Sequence, residues 1–308
     1  MNQLDQRLEQ RSLSVGMWAN LVMGIAGVVA AVLSNSDALM VDGLYSAVNF
    51  VSAIIAGRVV ASVMRQPDQK SPFGYEADES LYVLFRSLVL LGILIFACFT
   101  SLDKIITYAR GGDVPELILG PITIYMIAMV AICFGLAGWY DFNWKKTGCR
   151  SEILKTERAA AIVDGFISAG AGGALIGVVL LRGTPFEGII PIADAVVVLV
   201  LSVVMIGQPM GTFRSALREV AGRSVDEKTT ARVRGRIERV IDDLPCELLE
   251  VGVTKLGRVH FVICYIKPSG SITASGLDGL REELHKSYAD LFTQLRTEMV
   301  FTAEAPYQ

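Results

Sequence analysis

Four oxygen-bearing side chains in the stretch Ser34–Asn49, SNSDALMVDGLYSAVN, are spaced so that together they could hold a positive ion: Asp42, Tyr45, Ser46 and Asn49. In a helix, positions i, i+3, i+4 and i+7 share one side, so these groups form a polar stripe within an apolar run. Ionisable groups in hydrocarbon are costly and face a bundle interior or a wet cavity. A second stripe lies in Thr156–Gly173, TERAAAIVDGFISAGAGG, where Asp164 and Ser168 stand one turn apart. The two stripes are expected to face each other across a cation pathway. A carboxylate that binds a cation must shed its proton, and protonation expels the cation. Alternating access around such a site couples cation movement to proton movement.

The elements that carry these stripes read as membrane spans. Apolar residues make up 52% of the chain, in runs of about 20, the length that crosses a bilayer core. Six spans are predicted near Leu13–Leu33, Ala38–Met64, Leu81–Tyr108, Leu117–Trp139, Ala159–Leu181 and Gly188–Gly207. Basic residues gather on one side: Arg7, Arg11, Arg65, Lys70, Lys145, Lys146, Arg150, Lys155, Arg158, Arg214 and Arg218. The other side has mainly Lys104, Arg110 and Arg182, among Asp37, Asp103, Asp113 and Glu187. This asymmetry puts both termini in the cytoplasm, and the expected location is a bacterial inner (plasma) membrane. Met1–Arg11 is polar, without a cleavable signal pattern.

Other residue classes narrow the chemistry. A net charge of −3 gives no reason to expect a nucleic-acid partner. The cysteines (Cys98, Cys133, Cys149, Cys246 and Cys264) form no Cys-x-x-Cys pair and read as ordinary thiols. His260 and His285 are the only histidines, and both read as non-ligands. With no Ser/His/Asp set, no His cluster and no phosphate-binding glycine loop, an enzyme is not expected. Arg86 is expected to snorkel to the cytoplasmic end or to pair with Glu79, a structural ion pair in preference to a cargo role; Asn20 reads as structural, and Gly170, Gly172, Gly173 and Gly177 are expected to let the fifth span pack closely.

From about Pro209 the character changes. Arg214–Arg223 reads as a charged linker helix. Val225–Leu244 reads as an amphipathic helix with Val233, Ile237, Val240, Ile241 and Leu244 on one face. Leu248–Leu256 and Arg258–Ile266 read as a hairpin broken at Gly257, Leu277–Ala289 as a helix, and Leu295–Thr302 as a strand. The fold class is therefore an α-helical membrane protein: a six-helix transmembrane domain over 1–208, then a small cytoplasmic α/β domain over 209–308 with αββαβ, ferredoxin-like order.

Six spans, the two polar stripes and the α/β tail together resemble the cation diffusion facilitator family. The local pieces are Ser34–Ser52, Pro72-Phe73-Gly74 with Glu79, Asp164 with Ser168, and Asp194 where the family often has an acid near the outer face. The resemblance implies a homodimeric metal-cation/proton antiporter. It also implies a ligand pair four residues apart on each of two spans, which falls on Tyr45 and Asn49 and on Ala160 and Asp164. Ala160 offers no donor, and Asp42 either supplies the missing carboxylate, hydrogen-bonds a neighbouring helix or lines the outer vestibule. Tyr45 and Asn49 are ligands or packing groups. The family's loop histidines are replaced by Ser71 and Tyr75, and the tail is expected to support dimerisation without metal sensing.

A site of Asp42, Tyr45, Asn49 and Asp164 is all oxygen. It favours Mn²⁺, Fe²⁺ or another hard cation over zinc as cargo. No cofactor is expected; the partners are the cation, protons, the lipid bilayer and a second copy. Asn49 and Ala160 leave open a transport-inactive scaffold or regulatory subunit.

Overall fold

The computed structural model describes residues 3–305 apart from positions 64, 66, 67, 70, 72, 73, 150, 179–186, 243, 271, 272 and 293. Lys70, Pro72, Phe73, Arg150 and Arg182, used above for orientation and resemblance, lie outside the described residues, as do the expected span ends Met64 and Leu181.

Among the described residues six helical stretches are long and apolar enough to cross a membrane: Arg7–Ser34, Asp37–Val60, Ala77–Ala109, Leu119–Lys146, Ile153–Gly177 and Gly188–Val220. They belong to α1 (Gln3–Ser34), α2 (Asp37–Val63), α3 (Ala77–Ala109), α4 (Leu119–Lys146) and α5 (Glu152–Gly177), then to a short tight turn Glu187–Ile192, α6 (Ala193–Met205) and α7 (Gly207–Val220). The expected linker helix over Arg214–Arg223 is instead the second half of α7. Pro209 sits in the first turn of α7, where its missing N–H costs nothing. The helix stops before Gly222, at φ +64.

The chain divides into two compact units, one holding residues up to Ile55 with Arg86–Met210, the other Ala56–Phe85 with Gly211 onward. Residues 56–85 group with the tail.

In the first unit, small residues bring helices together. A side-chain carbon on Gly43 would lie 2.7 Å from the Val28 amide, and one on Gly27 would lie 2.6 Å from Gly43 Cα, so α1 and α2 touch backbone to backbone. Between α5 and α4 the close points are Gly165, against Cys133 and Phe134, and Gly172, whose missing side chain makes room for the Met126 thioether. This corrects the expectation for Gly170, Gly173 and Gly177, which face open space. Outward, large apolar side chains such as Val32, Phe96, Phe99, Ile124 and Phe166 stand exposed, as a surface solvated by lipid requires.

In the second unit, α8 (Glu227–Ile241) begins where the Asp226 carboxylate accepts from Thr229 N, and α9 (Ala274–Tyr288) where Thr273 Oγ1 accepts from Gly276 N. Each side chain satisfies an amide left free by the first helical turn. The strands β1 (Cys246–Leu256) and β2 (Val259–Pro268) pair antiparallel across Gly257, at φ +57, and β3 (Leu295–Phe301) lies parallel to β2. The core joins Val233, Ile237 and Ile241 of α8, alternate residues Val262, Cys264 and Ile266 of β2, and Leu280, Leu284 and Tyr288 of α9. Leu244 was expected on the α8 face, but it lies past the helix end and is exposed. The amino end of α3 joins this unit through ion pairs of Glu76 with Arg296 and Glu79 with Arg258. Ser80 Oγ accepts from Gly257 N.

Candidate cation site

The polar stripe of α2 opens onto a cavity of about 90 Å³ inside the first unit. That is room for several water molecules or for a partly hydrated ion. Its walls hold Asp42, Tyr45, Ser46 and Asn49 from α2, Asp164 and Ser168 from α5, and Asn20 from α1. The opposite face of α2, at Gly43 and Ala47, is the one pressed against α1. The same helix therefore packs tightly behind the stripe and leaves the stripe open in front.

Each donor is held differently. Asp42 Oδ2 accepts from the Tyr125 hydroxyl of α4 at 2.6 Å, so it bonds a neighbouring helix while still lining the cavity. Asn49 Oδ1 accepts from Arg86 Nη2 of α3 at 3.0 Å. This corrects the expected Arg86–Glu79 pair, since Glu79 is held by Arg258. Asp164 and the Tyr45 hydroxyl have no hydrogen-bond partner among the described residues, and Tyr45 lies within electrostatic reach of both Asp164 and Arg86. Asn20 donates to the Gly16 carbonyl of its own helix at 3.0 Å.

Several lining groups were not singled out from the sequence. Tyr125, Met126, Met129 and Cys133 form a wall on α4, with Met23 and Met205 adding sulfur from α1 and α6. Ser202 of α6 also lines the cavity; it is 1% exposed, and its hydroxyl is buried without a partner among the described residues. The spacing of Tyr125, Met129 and Cys133 at i, i+4 and i+8 was the available signal, but an apolar-looking stripe reads as core until its neighbours are known. Glu157 stands two turns before Asp164 on the same side of α5, within electrostatic reach of both Asp164 and Arg86. Its i, i+7 spacing from Asp164 repeats that of Asp42 and Asn49.

Among the described residues no group of three or more His, Cys, Asp or Glu side chains is placed to hold a metal. The cavity thus offers two carboxylates, to be completed by neutral oxygens and water. Asp194 plays a different part. It is 0% exposed and accepts from Ser36 Oγ at 2.6 Å and Asp37 N at 2.7 Å, with Lys104 Nζ at 3.7 Å. It caps the start of α2. In the second unit, His260 stacks on Phe292 and burial pushes its pKa down, while His285 Nδ1 lies 3.2 Å from Thr297 Oγ1.

Residues 13–220 match the family described as the cation efflux transmembrane domain. Over 111 residues the chain is 24% identical to the manganese efflux system protein MneP of Bacillus subtilis (strain 168). That match covers 36% of this chain and 36% of the length of the relative. With six apolar helices of spanning length, an α/β tail and a family match over more than half its residues, the chain belongs to the cation diffusion facilitator family.

Proposed function

We propose that this protein exports a divalent transition-metal cation, Mn²⁺ or Fe²⁺, from the cytoplasm in exchange for protons. The observation that carries this reading is that Asp42 and Asp164, from different helices, share one cavity with Tyr45 and Asn49. Oxygen ligands suit Mn²⁺, Fe²⁺, Mg²⁺ and Ca²⁺, and thioether sulfur in the wall favours the transition metals of that set. The similarity to the manganese efflux system protein of Bacillus subtilis supports manganese. The proton side follows from competition, because a carboxylate cannot hold its proton and the metal on the same oxygen. Both termini lie in the cytoplasm in this reading, on the strength of the Lys and Arg bias. The working form is a homodimer in the plasma membrane, as the family resemblance implies.

The test is proton flux in vesicles containing the purified protein. Added Mn²⁺ is expected to drive proton movement in wild type, and Asp164→Asn to cut it at least tenfold. A flat trace for wild type would contradict the reading and favour the transport-inactive scaffold suggested by Asn49 and Ala160. Strong preference for Zn²⁺ over Mn²⁺ and Fe²⁺ would contradict the choice of cargo.

A further inference from the structure

Helix α6 turns Val198, Leu201, Ser202 and Met205 to the cavity, at the i, i+3, i+4 and i+7 spacing of one helical face. Ser202 carries the one hydroxyl of that face, and it has no hydrogen-bond partner among the described residues. A buried hydroxyl in a helix ordinarily donates to a carbonyl one turn back, as Ser34 does to Ala30 at 2.6 Å and Thr123 to Leu119 at 2.9 Å. Ser202 is as deeply buried, at 1% exposed, and makes no such bond. Its height in the bundle is fixed from the other end of the helix. Asp194, in the first turn of α6, accepts from Ser36 Oγ and Asp37 N at the start of α2. Both helices line the cavity beyond that clamp, so they run side by side in the same direction. Ser202 follows Asp194 by eight residues, as Tyr45 follows Asp37. At about 1.5 Å per residue, both stand roughly 12 Å along their helices. The hydroxyl is therefore level with the donors of α2.

We propose that Ser202 is a further cargo ligand, its hydroxyl oxygen adding a donor from α6 to those of Asp42 on α2 and Asp164 on α5. A serine or threonine hydroxyl binds a hard divalent cation through an oxygen lone pair, as it does Mg²⁺ in phosphate-binding loops. Mn²⁺ and Fe²⁺ accept such a neutral oxygen beside carboxylates. The hydroxyl brings no charge, so the two carboxylates still balance a divalent ion when Ser202 is bound. An ion held from three helices ties α6 to α2 and α5. The Asp194 clamp then sets the height of a ligand as well as the start of α2.

This inference rests on the transport reading above, and calorimetry with Mn²⁺ and Zn²⁺ on the full-length protein in lipid nanodiscs separates the two. Ser202→Ala is expected to weaken Mn²⁺ binding about tenfold, the lower end of what loss of a group supporting a metal site costs. Ser202→Cys puts sulfur where the oxygen was, and thiolate selects softer metals. Its preference for Zn²⁺ over Mn²⁺ is expected to rise about tenfold relative to wild type. Each Zn²⁺ bound to that variant is expected to release about one proton more than in wild type, because the thiol must ionise to bind. Ser101 serves as the control: it is 0% exposed and also lacks a partner among the described residues, but it is not one of the residues lining the cavity. Ser101→Ala is expected to leave Mn²⁺ affinity as in wild type. Unchanged Mn²⁺ affinity in Ser202→Ala, or an equal loss in Ser101→Ala, overturns the proposal. So does an unaltered Zn²⁺ to Mn²⁺ preference in Ser202→Cys, which is nearly isosteric and carries the test where the alanine variant does not fold. Wild type that binds no Mn²⁺ would instead contradict the transport reading itself.

Discussion

Asp194 has no exposed surface, and its hydrogen bonds among the described residues serve the start of one helix. It accepts from the backbone amides of Asp37 and Ala38 and from Ser36, and Lys104 sits beside it with 11% of its side chain exposed. The amides at a helix start have no partner of their own, and this carboxylate supplies one for α2, the helix that carries Asp42, Tyr45 and Asn49. Asp194→Ala strands the amides and leaves Lys104 with Asp37 alone, at 3.4 Å. Leaving buried donors without their acceptor costs about 1–3 kcal/mol, to be read as a lowered unfolding temperature in detergent micelles. Asp194→Asn keeps an acceptor and is expected to lose less. At this scale the sequence was informative only along a helix. Spacing placed Asp42, Tyr45, Ser46 and Asn49 on one face because helical geometry is local. Tyr125, Ser202 and Glu157 escaped notice because their relevance depends on which helices are neighbours. Arg86 was matched with Glu79, the nearest acid along α3, when its acceptor lies on α2.

Helix α2 has two working faces, and the glycine face limits how far the polar face can shift. Gly43→Ala places a carbon 2.7 Å from the Val28 amide, and such overpacking costs about 1–3 kcal/mol. Its melting temperature is expected to fall and its Mn²⁺ flux to drop, although residue 43 does not line the cavity. Gly170→Ala on α5 meets open space and is expected to leave both unchanged; equal effects of the two would show that the α1–α2 contact is not special. The six apolar stretches and the αββαβ order were legible because hydrophobic length and period are properties of a single element. The continuation of the last span into α7 was not, because charged Arg214 and Arg218 marked the end of hydropathy while the backbone stayed helical. The glycines of α5 were likewise plain in the sequence, but only packing decides that Gly165 and Gly172, and not Gly170 or Gly173, meet α4.

Across the whole molecule, the change of composition near Pro209 announced a second unit, since a soluble α/β layer needs alternating strands and amphipathic helices. The membership of residues 56–85 in that unit was hidden, because it depends on pairs far apart in sequence. Glu76, 7% exposed, meets Arg296, and Ser80 meets both Glu219 and Gly257. The cavity belongs to the other unit, and the proposed function turns on one exchange, metal for proton, at Asp42 and Asp164. The most direct measurement is the number of protons released when Mn²⁺ binds the purified full-length protein, obtained by calorimetry in buffers of different ionisation enthalpy. Wild type is expected to release about one proton or more per ion at mildly acidic pH. Asp164→Asn and Asp42→Asn are each expected to bind at least tenfold more weakly and to release fewer. Mn²⁺ binding that liberates no proton, or that is unchanged in Asp164→Asn, would contradict the proposed exchange.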